Sequence, residues 1–247
     1  MLVWMLLACK EEPVKAPATM EQLVVSLLVD FATEGGDAAA AELGDWALAH
    51  VDDGVESYML SPLTEDDIDE LDHPEDLSLP AMLAGAAQAR LAGGMSGYVD
   101  TVAIPDQTFV DPSGYSKWDR RILSGTEADF LAGGELATVS DVVKQTLWIE
   151  IPYVMYEDFR WVGGSSGEIL VSRSWIPEAG WDESGENGVL GGFTLDLWVP
   201  DGGSMIWFTA TWTMVQAVVG DDEFLYDQTI ASMYTMFETL ESYVGGS

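Results

Sequence analysis

The sequence predicts an α+β fold: a helical N-terminal region followed by an antiparallel β-sheet that packs on a long C-terminal helix. Three observations predict it. Apolar residues recur at helical spacing from Thr19 onward, the period shifts towards two beyond Tyr98, and a second helical stripe returns from Asp221 to the C-terminus. With 48% hydrophobic residues and ten Trp among 247 residues, the chain has enough apolar surface for a packed core.

Residues 1–8, Met1-Leu-Val-Trp-Met-Leu-Leu-Ala8, are apolar, end on a small residue before Cys9, and give way to the polar Lys10-Glu-Glu-Pro13. That is the layout of an export signal with a cleavage site. Residues 9–18, with Pro13 and Pro17 among small and charged residues, predict an extended tether. From Thr19, which forms a capping box with Gln22, the positions Met20, Leu23, Val24, Leu27, Leu28 and Phe31 make one helical face that Gly35-Gly36 ends. Asp37 caps a second helix to about His50, with Leu43, Trp46 and Ala47 inward. Thr64 and Ser78 cap two more, the first with Ile68 and Leu71, the second with Met82, Leu83, Ala86, Arg90 and Leu91 up to Gly93-Gly94.

Strands are predicted near 98–104, 145–154, 155–162, 168–176, 189–199 and 204–216, with a short helix around Glu127 to Leu131. Pro152 marks a bend or an edge. The closing helix carries Tyr226, Ile230, Met233, Tyr234, Phe237, Leu240 and Val244 on one face. The predicted organisation is a signal segment 1–8, a tether 9–18, a helical region 19–94, and a sheet with its helix over 95–247. The last two form one compact unit, with Gly93-Gly94 as the boundary.

A turn centred on Ser165 pairs Trp161 with Ile169, Phe159 with Val171, Glu157 with Arg173 and Met155 with Trp175. Glu157 and Arg173 then meet on an apolar face as a structural ion pair, since either charge buried alone is costly. The same loop, Gly163-Gly164-Ser165-Ser166-Gly167, matches G-x-S-x-G, yet a strand follows where a nucleophile elbow needs a helix, and His50 and His73 both precede the serine. The acidic run from Glu65 to Asp76 lacks the central glycine of a calcium loop, and His73 has no second ligand of its kind nearby. No phosphate-binding glycine motif or HExxH helix occurs. The expectation is therefore no catalytic set, no metal site and no cofactor.

The formal charge of −34, from 43 acidic and nine basic residues, repels phosphate backbones, so nucleic acid is not an expected partner. It attracts divalent cations diffusely and resembles the acidity of proteins adapted to saline media. Leu6-Leu7-Ala8-Cys9 resembles the lipobox of bacterial lipoproteins. That resemblance implies acylation of Cys9, cleavage before it, and a protein of the cell envelope whose only membrane contact is its lipid anchor. Lys10 after the cysteine favours the outer membrane in a two-membrane cell. No other stretch has the ~20 apolar residues of a spanning helix.

Residues 145–244, antiparallel strands followed by one amphipathic helix, resemble the closing half of a helix-grip domain of the kind found in START-type lipid-transfer proteins. The resemblance implies an apolar cavity, with Met205, Trp207, Phe208, Trp212, Met233, Tyr234 and Phe237 as its candidate lining. Three functional classes follow, in this order: a non-catalytic envelope lipoprotein that acts through contacts with envelope proteins, a binder of a hydrophobic small molecule or lipid, and a carboxylate-dependent hydrolase.

Overall fold

The computed structural model describes residues 14–55, 57–69, 71–146, 149–217 and 222–245. Cys9, the export segment, residues 9–13 of the tether and the Asp221 cap lie outside the described residues.

Helix α1 (Ala18–Val29) buries Met20, Val24, Leu27 and Leu28 on the face that the spacing predicts. Its entry differs: Pro17 holds the N-cap position and no side chain caps the helix, so Thr19 and Gln22 form no capping box. Helix α2 (Glu34–His50) starts earlier than expected, because Thr33 Oγ1 accepts from the Gly35 and Gly36 N–H groups at 3.1 and 3.4 Å. Gly35-Gly36 thus opens a helix instead of ending one. Thr64 caps only a 3₁₀ turn, Glu65–Asp67.

The strands are β1 (Val14–Lys15), β2 (Tyr58–Met59), β3 (Leu83–Ala92), β4 (Tyr115–Ser124), β5 (Leu136–Thr146), β6 (Ile149–Gly164), β7 (Gly167–Trp175), β8 (Gly180–Trp181), β9 (Gly188–Asp201) and β10 (Ser204–Gln216). They form one ten-stranded sheet in the order β1-β2-β3-β10-β9-β7-β6-β5-β4, with β8 added on β9. Among the described residues only the short β1–β2 pair is parallel. The remaining helices are α3 (Met95–Val102), α4 (Glu127–Leu131) and α5 (Asp222–Gly245).

Side chains alternate between the two sheet faces. On one face Phe193, Leu195, Leu197 and Val199 of β9, with Ile206, Phe208, Ala210 and Trp212 of β10, pack against α1 and α2. On the other, Phe159, Leu170, Trp198, Met205 and Trp207 pack against Met233, Phe237 and Leu240 of α5. The fold is α+β, with an antiparallel sheet held between the N-terminal helices and the C-terminal helix. Among the described residues no helix is long and apolar enough to cross a membrane.

Several expected elements change identity. The helix expected after Ser78 is strand β3, paired over its whole length with β10. Its sequence, LAGAAQARLA, favours a helix locally, but it is covered on both sides and its small residues let α5 approach. At Gly85 a Cβ would stand 3.1 Å from both Ile230 and Tyr226. The strand expected at 98–104 is α3, whose Tyr98, Val99 and Val102 are buried at helical spacing. Strands β4 and β5 occupy a region without a clear signal, and the two strands expected across 145–162 include a single β6 that continues through Pro152.

The hairpin register also differs by one residue. Ser165 and Ser166 alone form the loop, Gly164 pairs with Gly167, and Gly167 adopts φ +134°, which favours glycine. Arg173 therefore faces Asp158 and Glu157 faces Ser174. A one-residue slip moves every β7 side chain to the other face relative to β6. The expected Glu157–Arg173 pair does not form.

Candidate functional site

The face of the sheet under α5 has a polar band across an otherwise apolar surface. The ladder pairs Arg120 with Ser140, Thr138 with Glu157, Glu157 with Ser174, Ser172 with Asp196 and Asp196 with Thr209. Arg120 Nη2 donates to Glu157 Oε2 at 2.5 Å, with side-chain exposures of 6% and 9%. Arg120 Nη1 donates to Val102 O at 2.7 Å, and the guanidinium lies 5.3 Å from the Phe159 ring centre. Ser172 Oγ donates to Glu157 Oε1 at 3.2 Å, and Trp207 Nε1 donates to Asp196 Oδ1 at 2.8 Å.

Burial raises the Glu157 carboxyl above the ordinary carboxylate range, with Arg120 opposing it, and burial lowers the Arg120 guanidinium. Among the described residues Asp196 has no cation within 4.0 Å. Burial, opposed by hydrogen bonds from Trp207, Thr209 and Ser172 and reinforced by the charge of Glu157, pushes its carboxyl up to about 7.

Beside this band, between the sheet and α5, lies a hollow of about 150 Å³. Its floor is a patch of hydroxyls, Ser174, Thr194, Thr209, Thr211 and Thr213, and Thr229, Ser232, Met233 and Met236 of α5 form its roof. Thr194 and Thr211 share a hydrogen bond of 3.0 Å. Tyr115, Lys144, Tyr153 and Met155 complete the wall. Glu157 and Asp196 do not line the hollow, so the two buried carboxylates meet behind its wall and not in a cleft. A larger groove of about 530 Å³ involves Asp141, Val143, Val154, Tyr156 and Pro177, but it lies open on the surface and lacks a roof helix.

Of the residues expected to line a cavity, Met233 does so. Met205, Trp207, Tyr234 and Phe237 belong to the same core without reaching the hollow. Phe208 and Trp212 project to the opposite face, against α1 and α2. This follows from strand alternation, which forbids neighbours such as Trp207 and Phe208 from sharing one face. The expected ion-pair partners separate: Glu157 pairs with Arg120 and Arg173 with Asp158 at 3.3 Å. Arg173 also sits 4.7 Å from the centre of the Phe31 ring.

Ser165 hydrogen-bonds Asp45 of α2. Both histidines are distant in role: His50 stacks on Trp46 at 4.6 Å, and His73 meets Phe193 edge-on at 6.5 Å. Among the described residues no group of metal-ligating side chains converges.

The polar band and the hydroxyl floor had a signal in the sequence. In β9 and β10, Thr194, Asp196, Thr209, Thr211 and Thr213 alternate with fully apolar neighbours, the pattern of strands with a second, functional face. Lys144, Tyr115 and Arg120 lie in strands whose alternation is blurred by exposed charges.

No protein-family model matches the chain, and no curated protein matches it. Solved structures do. A STAR-related lipid transfer protein from Xanthomonas axonopodis aligns with a TM-score of 0.47 at 10% identity, over 65% of this chain and 85% of its own. The lipid transfer and protein localization domain of human StarD13 aligns with a TM-score of 0.42 at 10% identity, over 66% of this chain and 77% of its own. A norcoclaurine synthase from Thalictrum aligns with a TM-score of 0.38 at 15% identity, over 66% of this chain and 94% of its own. These likenesses are too distant to assign a ligand or an activity.

Proposed function

We propose that this protein binds a small amphipathic organic molecule in the hollow between the sheet and α5. The observation that carries this reading is the mixed lining of that hollow, hydroxyls from both the sheet and α5 together with Met155, Met233 and Met236, in a core otherwise closed by aromatic packing. Methionine adapts its shape to a guest, and placed hydroxyls orient one. Size limits the guest. A cavity of this volume suits a molecule near the size of benzene, and it falls below the ~300 Å³ at which pockets for larger ligands begin. A long-chain lipid does not fit without a shift of α5.

Met233→Trp fills the hollow from its roof. The expected result is a loss of affinity for 2-phenylethanol of about tenfold or more, with far-ultraviolet circular dichroism unchanged. Equal affinity in the variant would place the binding site elsewhere.

We also propose that the domain is exported and anchored through Cys9, on the strength of Leu6-Leu7-Ala8-Cys9 and the apolar run before it. Expressed in a bacterial host, the wild type is expected in the membrane fraction, with an intact mass for an acylated chain that begins at Cys9. The Cys9→Ser variant is expected without acyl mass. An unmodified wild-type chain that retains Met1 would refute the anchor.

A further inference from the structure

Lys144 ends one wall of the hollow, in a part of the molecule where every other cation has an acidic partner. On the long strands Arg90 pairs with Asp52 and Asp201, and Lys117 with Asp119. Arg120 pairs with Glu157, Arg121 with Asp141, Arg160 with Asp37 and Arg173 with Asp158. Among the described residues no carboxylate lies within 4.0 Å of the Lys144 amine, although the chain has 43 acids for nine basic residues. An acidic partner would be easy to supply in such a sequence, and here none is supplied.

The surroundings of Lys144 are those of an anion subsite. Its Nζ lies 5.7 Å from the centre of the Tyr115 ring. Tyr115 and Tyr153 line the hollow beside it, and Tyr153 is half-buried. A phenol O–H at this position is a donor for a guest beside the ammonium. Asp111 touches the lining residue Ser232 from outside the hollow, and its carboxylate accepts from Ser113 Oγ at 2.9 Å, Gly114 N at 2.9 Å and Ser232 Oγ at 3.3 Å.

Resting on the reading of the hollow as a binding site, we infer that its ligand is a small carboxylate with an apolar body. The anion pairs with Lys144 and the tyrosine pair, and the apolar part lies between Met155, Met233 and Met236. A charge-assisted contact is about twice as strong as a neutral one, which makes the carboxylate the distinguishing group. The overall negative field of the protein opposes any anion, so the preference for the carboxylate rests on the local contact with Lys144.

The test uses two probes of one carbon skeleton, phenylacetate and 2-phenylethanol, titrated into the full domain at 0.15 M salt, with methionine and threonine methyl resonances as the readout. For the wild type, phenylacetate is expected to bind about tenfold more tightly than the alcohol. Lys144→Gln is expected to bring the ratio of the two affinities, measured within that variant, close to one, whereas Lys144→Arg retains the preference. Equal or tighter binding of the alcohol by the wild type would overturn the carboxylate assignment while the hollow remains a binding site. A preference that survives in Lys144→Gln would overturn the role of Lys144. Binding of neither probe would overturn both the assignment and the reading on which it rests.

Discussion

Replacement of Arg120 by alanine is expected to destabilise the protein by about 3–5 kcal/mol at pH 8, the typical cost of leaving one member of a buried ion pair without its partner. The geometry sets the size of the effect. Both side chains are nearly inaccessible, Glu157 has only Ser172 as a further donor, and Val102 O at the end of α3 loses its guanidinium donor as well. Glu157 in the variant escapes part of the penalty by taking up a proton, so the loss is expected to shrink towards pH 5. The pair is costly to break and not costly to replace. Arg120→Met combined with Glu157→Leu is expected to recover most of the stability, because two apolar side chains need no compensation in that core. Urea unfolding of the wild type and the two variants at pH 5 and 8 checks all of these values. A loss under 1 kcal/mol for Arg120→Ala at pH 8 would show that water reaches Glu157.

Asp196→Asn is expected to flatten the dependence of stability on pH between about 4 and 7. The sign follows from the direction of the shift. The folded state holds the Asp196 proton up to about pH 7, whereas the unfolded chain releases it near 3.9, so the folded protein binds more protons across this window. Stability that is fully present below the unfolded value is lost as pH rises through the folded value. The loss for a shift of this size is on the order of 4 kcal/mol. Asparagine keeps an oxygen acceptor for Trp207 Nε1 without an ionisable proton. The variant is therefore expected to match the wild type near pH 4 and to exceed it in stability at pH 8. Other raised carboxyls, such as Asp158, which burial pushes up against the opposing charge of Arg173, contribute equally to both proteins and cancel in the difference. Parallel stability curves for the two proteins would mean that Asp196 is solvated.

The features of the fold that were legible in the sequence are those governed by local periodicity. The stripes of α1 and α5 and the full extent of β10 follow from spacing alone, because each buries one face against a partner. What spacing could not show depends on tertiary context. The alanine-rich run at 83–92 has the local preference of a helix, and only its place between β2 and β10 makes it a strand. The edge strand β4, YSKWDRRILS, exposes charges along much of its length and carries no clear alternation. The β6–β7 register turned on whether the glycine-serine loop contains two residues or an odd number, and that single choice decided which face receives Arg173. The site was legible in outline only. Met233 belongs to the helical stripe, whereas the threonines and Lys144, which give the hollow its chemistry, carry no apolar periodicity that would single them out.

The central claim is that the hollow under α5, and not the larger surface groove, receives a small ligand. The most direct measurement is a map of methyl chemical-shift changes upon titration with 2-phenylethanol, which carries no charge and so reports on the hollow independently of Lys144. The account predicts saturable shifts at Met155, Thr209, Thr211, Met233 and Met236, with the methyls of Val143, Val154 and Ala179 unmoved. Saturable shifts confined to Val143, Val154 and Ala179, or none at all, would contradict it.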